Sequence, residues 1–138
     1  MDKSVAIIGL LNGHLNTLAT TESLVVKWEG QVSEPEAGNY LRTWVLPTEP
    51  IVAWLGSGAP DKLRLIYQID VVSSLGSWAV PAGIADKIGQ HFKRPQRLTA
   101  TGVLIRLLHV AHRPGRREES RYVKTVDIIT DVLAKTEE

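Results

Sequence analysis

Apolar and polar residues alternate in the middle of the chain, and the spacing then changes to that of a helix. In residues 62–71 the apolar members are Leu63, Leu65, Tyr67, Ile69 and Val71, and the polar members are Lys62, Arg64, Gln68 and Asp70. A period of two predicts a strand with one buried face. From Trp78 to Phe92 the apolar residues recur every three or four positions, which predicts an amphipathic helix that ends before Pro95.

The remaining segments predict one more helix and several strands. The stripe of a first helix consists of Ile7, Ile8, Leu11, Leu15 and Leu18. Leu24–Glu29 and Tyr40–Leu46 are rich in β-forming residues and predict two strands. Val103–Val110 is apolar on both sides, which predicts a strand in a central position of the sheet. Arg121–Val132 alternates and predicts the last strand, and the charged stretch Arg113–Ser120 predicts a solvated turn before it.

This order of elements predicts an α+β fold. A helix, two or three strands, a second helix and a final pair of strands joined by a turn are typical of a mixed, mainly antiparallel β-sheet with two helices packed on one face. The length of 138 residues predicts a single domain over residues 1–138. We expect residues 133–138, which are polar and acidic, to be disordered.

Composition narrows the class of protein. Hydrophobic residues at 43% and charged residues at 22% are ordinary for a globular protein and predict neither disorder nor a membrane protein. The absence of cysteine excludes disulfides and thiolate metal sites, and it fits a reducing compartment such as the cytoplasm. The apolar run Val5–Leu11 is short and follows Asp2, so we interpret it as part of a helix and not as a signal peptide.

Charge is distributed unevenly along the chain although the formal net charge is only +1. Residues 1–90 carry six Lys or Arg and nine acids, residues 91–124 carry nine and two, and residues 125–138 carry one and four. The basic segment between two acidic ones indicates a localised positive surface if the fold keeps these residues together.

No motif in the chain predicts catalysis. His109 and His112 would point to opposite faces of a strand, and no third metal ligand accompanies them. The segment Gly56–Lys62 lacks the spacing of a phosphate loop and precedes a strand. Asp127 and Asp131 share one side of the last strand, and the pattern favours a solvated face over an acid and base pair. We therefore expect no catalytic site, no cofactor and no metal.

Two surface features remain as candidates. The first is an apolar segment flanked by prolines and glycines, which could fold onto the protein's own core or form the interface with a partner. Its members are Ile51, Val52, Trp54 and Leu55. The second is a basic band, which could be a set of solvated turns or contact phosphates. Its members are Lys93, Arg94, Arg97, Arg113, Arg116 and Arg117.

The order and spacing of several short segments resemble a known family. They begin with Trp28-Glu29 after a short strand and run through nearly all of the chain. The further segments are Tyr40-Leu41-Arg42, Val45-Leu46-Pro47, Leu55-Gly56-Ser57-Gly58, Tyr67-Gln68-Ile69-Asp70-Val71, Ile84-Ala85-Asp86-Lys87-Ile88 with Phe92, and the last strand from Tyr122. In these segments the chain resembles the tail terminator, or tail completion, proteins of long-tailed bacteriophages and the related prophage proteins.

The resemblance implies a structural role in the virion tail. Family members form a ring, commonly of six subunits, that caps the tail tube, stops the addition of tube subunits and provides a platform for joining to the head. It implies that the protein is not an enzyme and assembles in the cytoplasm of the bacterial host. The implied partners are further copies of the chain, the tail tube protein, a head-joining protein and the DNA that passes through the channel, which the ring contacts without sequence preference. A membrane is not among the implied partners.

Two alternatives stay open. Within the structural class, the chain could be another phage neck protein that joins head and tail, or a tube subunit. From a different class, it could be a small nucleic-acid-binding module that uses the basic band directly. Such a module needs aromatic side chains beside its cations, and among the Tyr and Trp residues only Tyr122 lies next to a basic residue of the segment 91–124.

Overall fold

The computed structural model describes residues 3–28, 39–47, 62–74, 78–93, 97–100, 103–118 and 121–134. The helices are α1 (Lys3–Thr21) and α2 (Ala79–Lys93). The strands are β1 (Val25–Lys27), β2 (Tyr40–Pro47), β3 (Lys62–Ser74), β4 (Arg97–Ala100), β5 (Val103–His112), β6 (Arg116–Glu118) and β7 (Arg121–Ala134). These elements confirm the α+β prediction.

The seven strands form one mixed sheet. Six of them follow the order β1-β2-β3-β7-β5-β4 across the sheet. The seventh, β6, is not part of this order and pairs with β7. The β1–β2 pair is parallel and the other pairs are antiparallel. The longest strands, β3 with 13 residues and β7 with 14, are neighbours in the middle of the sheet. Their register therefore determines which residues share a face over most of the sheet.

Both helices pack on one face of the sheet, which we call the inner face. The apolar residues of β3 and β7 meet the apolar stripes of the helices there. The fully or almost fully buried members of this core include Ile7, Leu11, Leu15, Leu65, Tyr67, Ile69, Ala85, Ile88, Phe92, Ile105, Val126, Ile128 and Val132. The phenol of Tyr67 donates a hydrogen bond of 2.6 Å to Asn12 Oδ1 on α1. The one polar atom of this large buried ring is thus satisfied by a residue beside the apolar stripe.

The end of α1 has the geometry of a Schellman motif. Leu24 N–H donates to Ala19 O at 2.8 Å, and Ser23 N–H donates to Thr20 O at 3.3 Å. Ser23 adopts a φ of 56°, in the left-handed region that this motif requires and that glycine adopts most easily. The chain reverses here and enters β1.

A reciprocal pair of histidines connects the two helices. His14 Nε2 donates to the carbonyl of His91 at 2.9 Å, and His91 Nε2 donates to the carbonyl of His14 at 2.6 Å. The two rings stack with centroids 4.0 Å apart and an angle of 14° between their planes. Burial lowers the pKa of His14, the hydrogen bond to His91 raises it in part, and the charge of His91 lowers it further. This contact is therefore most stable while the His14 ring is neutral.

Three details differ from the sequence predictions. The prediction of a central position for Val103–Val110 holds only in part: β5 lies between β7 and β4, but β4 is paired with residues 103–106, and Leu108 is 46% exposed. A β-bulge between Leu107 and His109 shifts its register against β7. The short strand β4 was not predicted, and the solvated turn Arg113–Ser120 contains β6, which pairs with the start of β7.

Candidate interaction surface on the outer sheet face

The outer face of the sheet lies opposite the helices and carries the polar residues that alternate with the core. The register of β2, β3 and β7 places Arg42 beside Asp70 and Arg64 beside Asp131. On the other side of β7, Arg106 of β5 is also opposite Asp131. Because side chains of paired residues project to the same side of a sheet, opposite charges from four strands meet on this face.

These contacts form three groups of ion pairs and hydrogen bonds on the outer face, which we together call the arginine–aspartate network. It contains five arginines and four acids. Its members are Arg42, Arg64, Arg106, Arg113, Arg116, Asp70, Asp127, Asp131 and Glu118. The network has a net charge of only +1, since five positive charges face four negative ones.

Asp70 lies at the centre of the largest of these groups. Its Oδ2 atom is 2.9 Å from a guanidinium nitrogen of Arg42 and 3.5 Å from one of Arg116. Its Oδ1 atom accepts a 2.6 Å hydrogen bond from the Thr125 hydroxyl, and that hydroxyl accepts a 2.8 Å bond from Arg116. Asp70 is 2% exposed. Burial of a carboxylate is tolerated here because both of its oxygens have donors.

The two acids of β7 are also bound by arginines, although Asp127 Oδ1 has no hydrogen-bond partner among the described residues. Asp131 accepts from Arg64 Nε at 2.9 Å and lies 3.5 Å from a guanidinium nitrogen of Arg106. Asp127 accepts from Arg113 Nε at 2.7 Å. Asp127 and Asp131 are 4% and 2% exposed, so the prediction that they form a solvated face was wrong. Arg64 of β3, Arg106 of β5 and Arg113, which follows β5, bind these buried carboxylates.

Electrostatic coupling is clearest between Arg42 and Glu118. Burial by itself would lower the pKa of the Arg42 guanidinium, but hydrogen bonds and charges from Glu118 and Asp70 raise it above its usual value. The hydrogen bond from Arg42 lowers the pKa of Glu118, burial opposes this, and the charges of Arg42 and Arg116 lower it further. Both groups therefore keep their charges well beyond the neutral pH range.

Aromatic residues lie beside these cations on β2. The Arg42 guanidinium carbon is 5.3 Å from the ring centroid of Trp44. The Tyr40 ring lies 4.9 Å from Lys27 Nζ and 5.8 Å from the Arg121 guanidinium carbon. A shallow depression of about 370 Å³ opens here. It is lined by Arg42, Trp44, Gln68, Asp70, Arg116 and Glu118.

The predicted basic band is divided by the fold. Arg113 and Arg116 belong to the network, whereas Arg117 follows Arg116 on a strand and projects to the opposite side. Lys93 ends α2, and Arg97 begins β4, where it is paired with Arg106. Arg94 lies outside the described residues.

The predicted apolar segment lies outside the described residues as a whole. This applies to Ile51, Val52, Trp54 and Leu55. Its role as a contact with another subunit or with the tube stays a prediction.

The described histidines do not assemble into a metal centre. His109 is paired with Ile129 and His112 with Val126, residues that lie on opposite faces of β7, as their spacing predicted. Within the described ranges, no group of three or more His, Asp or Glu side chains is arranged to hold a metal ion. Neither described helix is long and apolar enough to cross a membrane.

Sequence reasoning missed the arginines that complete the network. Arg42, Arg64 and Arg106 are isolated in sequence, so they did not stand out as a basic segment. The sequence nevertheless held a pattern that could have identified them, because each arginine stands at a polar position of a strand in which apolar and polar residues alternate. Asp70, Asp127 and Asp131 occupy the polar phase of the strands that pair with them.

Comparison with known proteins defines the class of protein. Residues 6–128 match a family model described as phage tail terminator protein. The match extends over most of the chain, and the chain belongs to the phage tail terminator family. This is a family of structural, non-catalytic components of phage tails.

A solved structure supports the fold. It carries no functional name and is similar to this chain with a TM-score of 0.73 at 21% sequence identity. The similarity covers 100% of this chain and 99% of that chain. At this level of identity the likeness establishes the architecture alone. No curated protein matches the sequence.

Proposed function

We propose that this protein caps the end of the phage tail tube as a ring of six subunits. The ring ends polymerisation of the tube and provides the surface to which the head is joined. The observation that carries this proposal is the match of residues 6–128 to the tail terminator family. The protein acts by contact and has no catalytic role.

The two faces of the sheet support a role in assembly. The helices cover the inner face, while the outer face presents ordered charges and aromatic side chains to its surroundings. Rigid strands position these side chains, so a partner meets a preformed surface. The proposed partners are further copies of the chain, the tail tube protein and a head-joining protein. Assembly in the host cytoplasm then places the protein in the virion tail.

The apolar segment and the basic band have separate proposed roles. The residues Ile51, Val52, Trp54 and Leu55 contact a neighbouring subunit or the tube. The cations of the band face the DNA that passes through the ring. Arg113 and Arg116 already bind buried carboxylates, so Arg97 and Lys93, which are both exposed, are the clearer candidates for phosphate contacts.

Complementation of a phage that lacks its terminator gene tests the proposed function. Tails assembled without a terminator are expected to grow past their normal length and to remain unjoined to heads. Expression of this protein in cells that carry its own phage or prophage with the gene deleted should restore uniform tails, measured by electron microscopy. Tails of normal, uniform length in the deletion alone would contradict the proposal, and normal tails without heads would indicate a head-joining role.

A specific observation favours a second candidate, a nucleic-acid-binding module. Tyr40 lies between Lys27 and Arg121, and Trp44 lies beside Arg42, so aromatic rings accompany cations in space. Such pairs can stack on single-stranded bases. Binding of a fluorescent single-stranded oligonucleotide that falls steeply with salt and is lost in Tyr40→Ala would support this role.

A further inference from the structure

The positive charge of the outer face is concentrated where β5 meets β4. The group around Asp70 joins two arginines to two acids and has no net charge, and the pair of Arg113 with Asp127 is neutral as well. The third group joins two arginines to Asp131 and has a net charge of +1. Arg97 of β4 is paired with a member of this group, so three arginines and one acid give a local net charge of +2.

Two arginines stand side by side at this margin of the sheet. Arg97 of β4 is directly opposite Arg106 of β5, so their side chains project to the same face. Both are accessible, since Arg97 is exposed and the side chain of Arg106 is 41% exposed. Like charges directly opposite each other in a sheet repel. An anion that binds between the two guanidinium groups relieves this repulsion.

The nearby carboxylate compensates this pair only weakly. Asp131 accepts a hydrogen bond of 2.9 Å from Arg64 Nε, whereas its distance to Arg106 Nη2 is 3.5 Å, longer than the usual range. Arg106 Nε has no hydrogen-bond partner among the described residues. Within the same part of the chain, no ion pair includes Arg97. The guanidinium groups of Arg97 and Arg106 therefore retain donors for a further acceptor.

A phosphate group fits this pair of arginines. The planar fork of donors on a guanidinium matches two phosphate oxygens at once. Thr99 follows two residues after Arg97 on β4, so it projects to the same side, and it is exposed. Its hydroxyl is a donor of a type that is common at phosphate contacts. Because β4 ends the strand order, these groups lie at the margin of the sheet.

The surroundings of the pair favour the backbone of duplex DNA over unpaired bases. Binding of unpaired bases depends on aromatic rings that stack on them beside the cations. The cation–π contacts of the described residues involve Tyr40 and Trp44 of β2, at the other side of the sheet. Contacts with a phosphate backbone need only cations and hydrogen-bond donors.

We propose that Arg97 and Arg106 form a binding site for the phosphate groups of duplex DNA, with Thr99 as a further donor. The two guanidinium groups donate to the oxygens of one phosphate or of two neighbouring phosphates in a strand. The proposal rests on the ring described under Proposed function, through which the DNA passes, and it identifies the margin of the sheet that faces this DNA. The ring repeats a weak site in every subunit, so the contacts add up without sequence preference.

NMR spectroscopy of the isotope-labelled full chain tests this site, because it detects weak binding and locates it. A random-sequence duplex of about 12 base pairs is added at an ionic strength of about 50 mM, at which phosphate contacts are strong. The largest shifts are expected at the backbone N–H groups of residues 97–100 and 103–106 and at the Nε–H groups of Arg97 and Arg106. They should decrease at an ionic strength of about 500 mM, because salt screens the charges.

Single variants with a matched control test the two arginines. Arg97→Gln and Arg106→Gln should each raise the Kd for the duplex by about fivefold, since each removes a phosphate contact. Lys87→Gln removes the same charge from α2, on the other side of the sheet, where Lys87 is 58% exposed. It should change the Kd by less than about twofold. Thermal melting should first show that all three variants fold, as expected for accessible side chains.

The alternatives give different results. Shifts that avoid residues 97–106 overturn the proposal, as does an unchanged Kd in both arginine variants. An equal effect of Lys87→Gln also overturns it, because net charge alone would then explain the binding. Inorganic phosphate and a polyglutamate peptide, each at the same concentration of negative charge, should bind more weakly than the duplex. If either equals the duplex, the site is one for small anions or for acidic proteins, and the assignment to DNA is wrong.

This test is independent of the proposed function. The terminator role is measured by tail length in the complementation experiment, and the phosphate site is measured by NMR on the isolated chain. Uniform tails together with absent duplex binding would overturn the phosphate site alone. Duplex binding at Arg97 and Arg106 in a protein that does not restore tail length would contradict the terminator role alone.

Discussion

The two faces of the sheet bury their residues by different physical means. On the inner face, Leu65, Tyr67 and Ile69 of β3 are 0% exposed beneath two helices, and the hydrophobic effect stabilises their burial. On the outer face, Asp70 of the same strand is 2% exposed, and arginines and a threonine compensate its desolvation. One strand thus contributes to an apolar core on one side and to a charged network on the other. Burial alone does not identify the core of this protein.

The difference has consequences for stability and for recognition. Apolar burial is non-directional and roughly proportional to the area removed from water, and it does not depend on charge screening, so the inner face stabilises the fold at low and moderate salt alike. Buried ion pairs contribute little net stability, but they fix the positions of the groups that they join. We therefore expect the inner face to determine whether the chain folds and the outer face to determine what it contacts.

The largest expected effect comes from the inner face. Phe92 is 0% exposed, and its ring contacts those of Tyr67 and His14. Phe92→Ala should reduce the free energy of unfolding by about 3–5 kcal/mol, because it removes apolar contacts and leaves a cavity. Urea denaturation followed by circular dichroism measures the loss. A change below about 1 kcal/mol would show that the helices contribute little to the core.

A smaller loss is expected when the centre of the outer face is removed. Asp70→Ala removes the acceptor of the Thr125 hydroxyl and the buried partner of Arg42. We expect it to lower the free energy of unfolding by about 1–3 kcal/mol. Asp70→Asn is the control, because it keeps an acceptor of nearly the same shape and should cost less. If both variants were as destabilising as Phe92→Ala, the division of roles between the two faces would be wrong.

The histidine pair of the helix layer predicts a pH dependence. The folded chain holds the pKa of His14 below its usual value of 6.5, so the unfolded chain binds more protons between the two values. Stability should therefore fall as the pH decreases from above 6.5 through the folded pKa. Thermal melting at several pH values measures this effect. His14→Gln keeps a donor for the His91 carbonyl without titrating, and it should make the melting temperature less dependent on pH.

The smallest effect is expected for an exposed ion pair on the helix layer. Lys87 binds Glu22, and their side chains are 58% and 29% exposed. Lys87→Ala should change the free energy of unfolding by less than about 1 kcal/mol, because water and salt already screen this pair. Asp70→Ala and Lys87→Ala together compare a buried and an exposed ion pair in one chain. If Lys87→Ala lowered the free energy of unfolding by more than Asp70→Ala does, burial would not be the reason that an ion pair matters for the stability of this chain.

The sequence determined the elements and the inner face. The period of two in residues 62–71 predicted β3, and the spacing of Ile84, Ile88 and Phe92 predicted α2, because regular backbone geometry repeats at these intervals. The order of elements also predicted the fold class. Short β4 and β6 were missed, since three or four residues carry too little pattern to distinguish a strand from a turn.

Only the tertiary structure decided the chemistry of the outer face. Asp127 and Asp131 follow the pattern of solvated residues, and nothing local in the sequence shows that Arg113, Arg64 and Arg106 cover them. Their burial depends on strand register between segments that are far apart in the chain. A shift of one residue would send every side chain of β7 to the other face, so the pairing of β3, β5 and β7 creates the network.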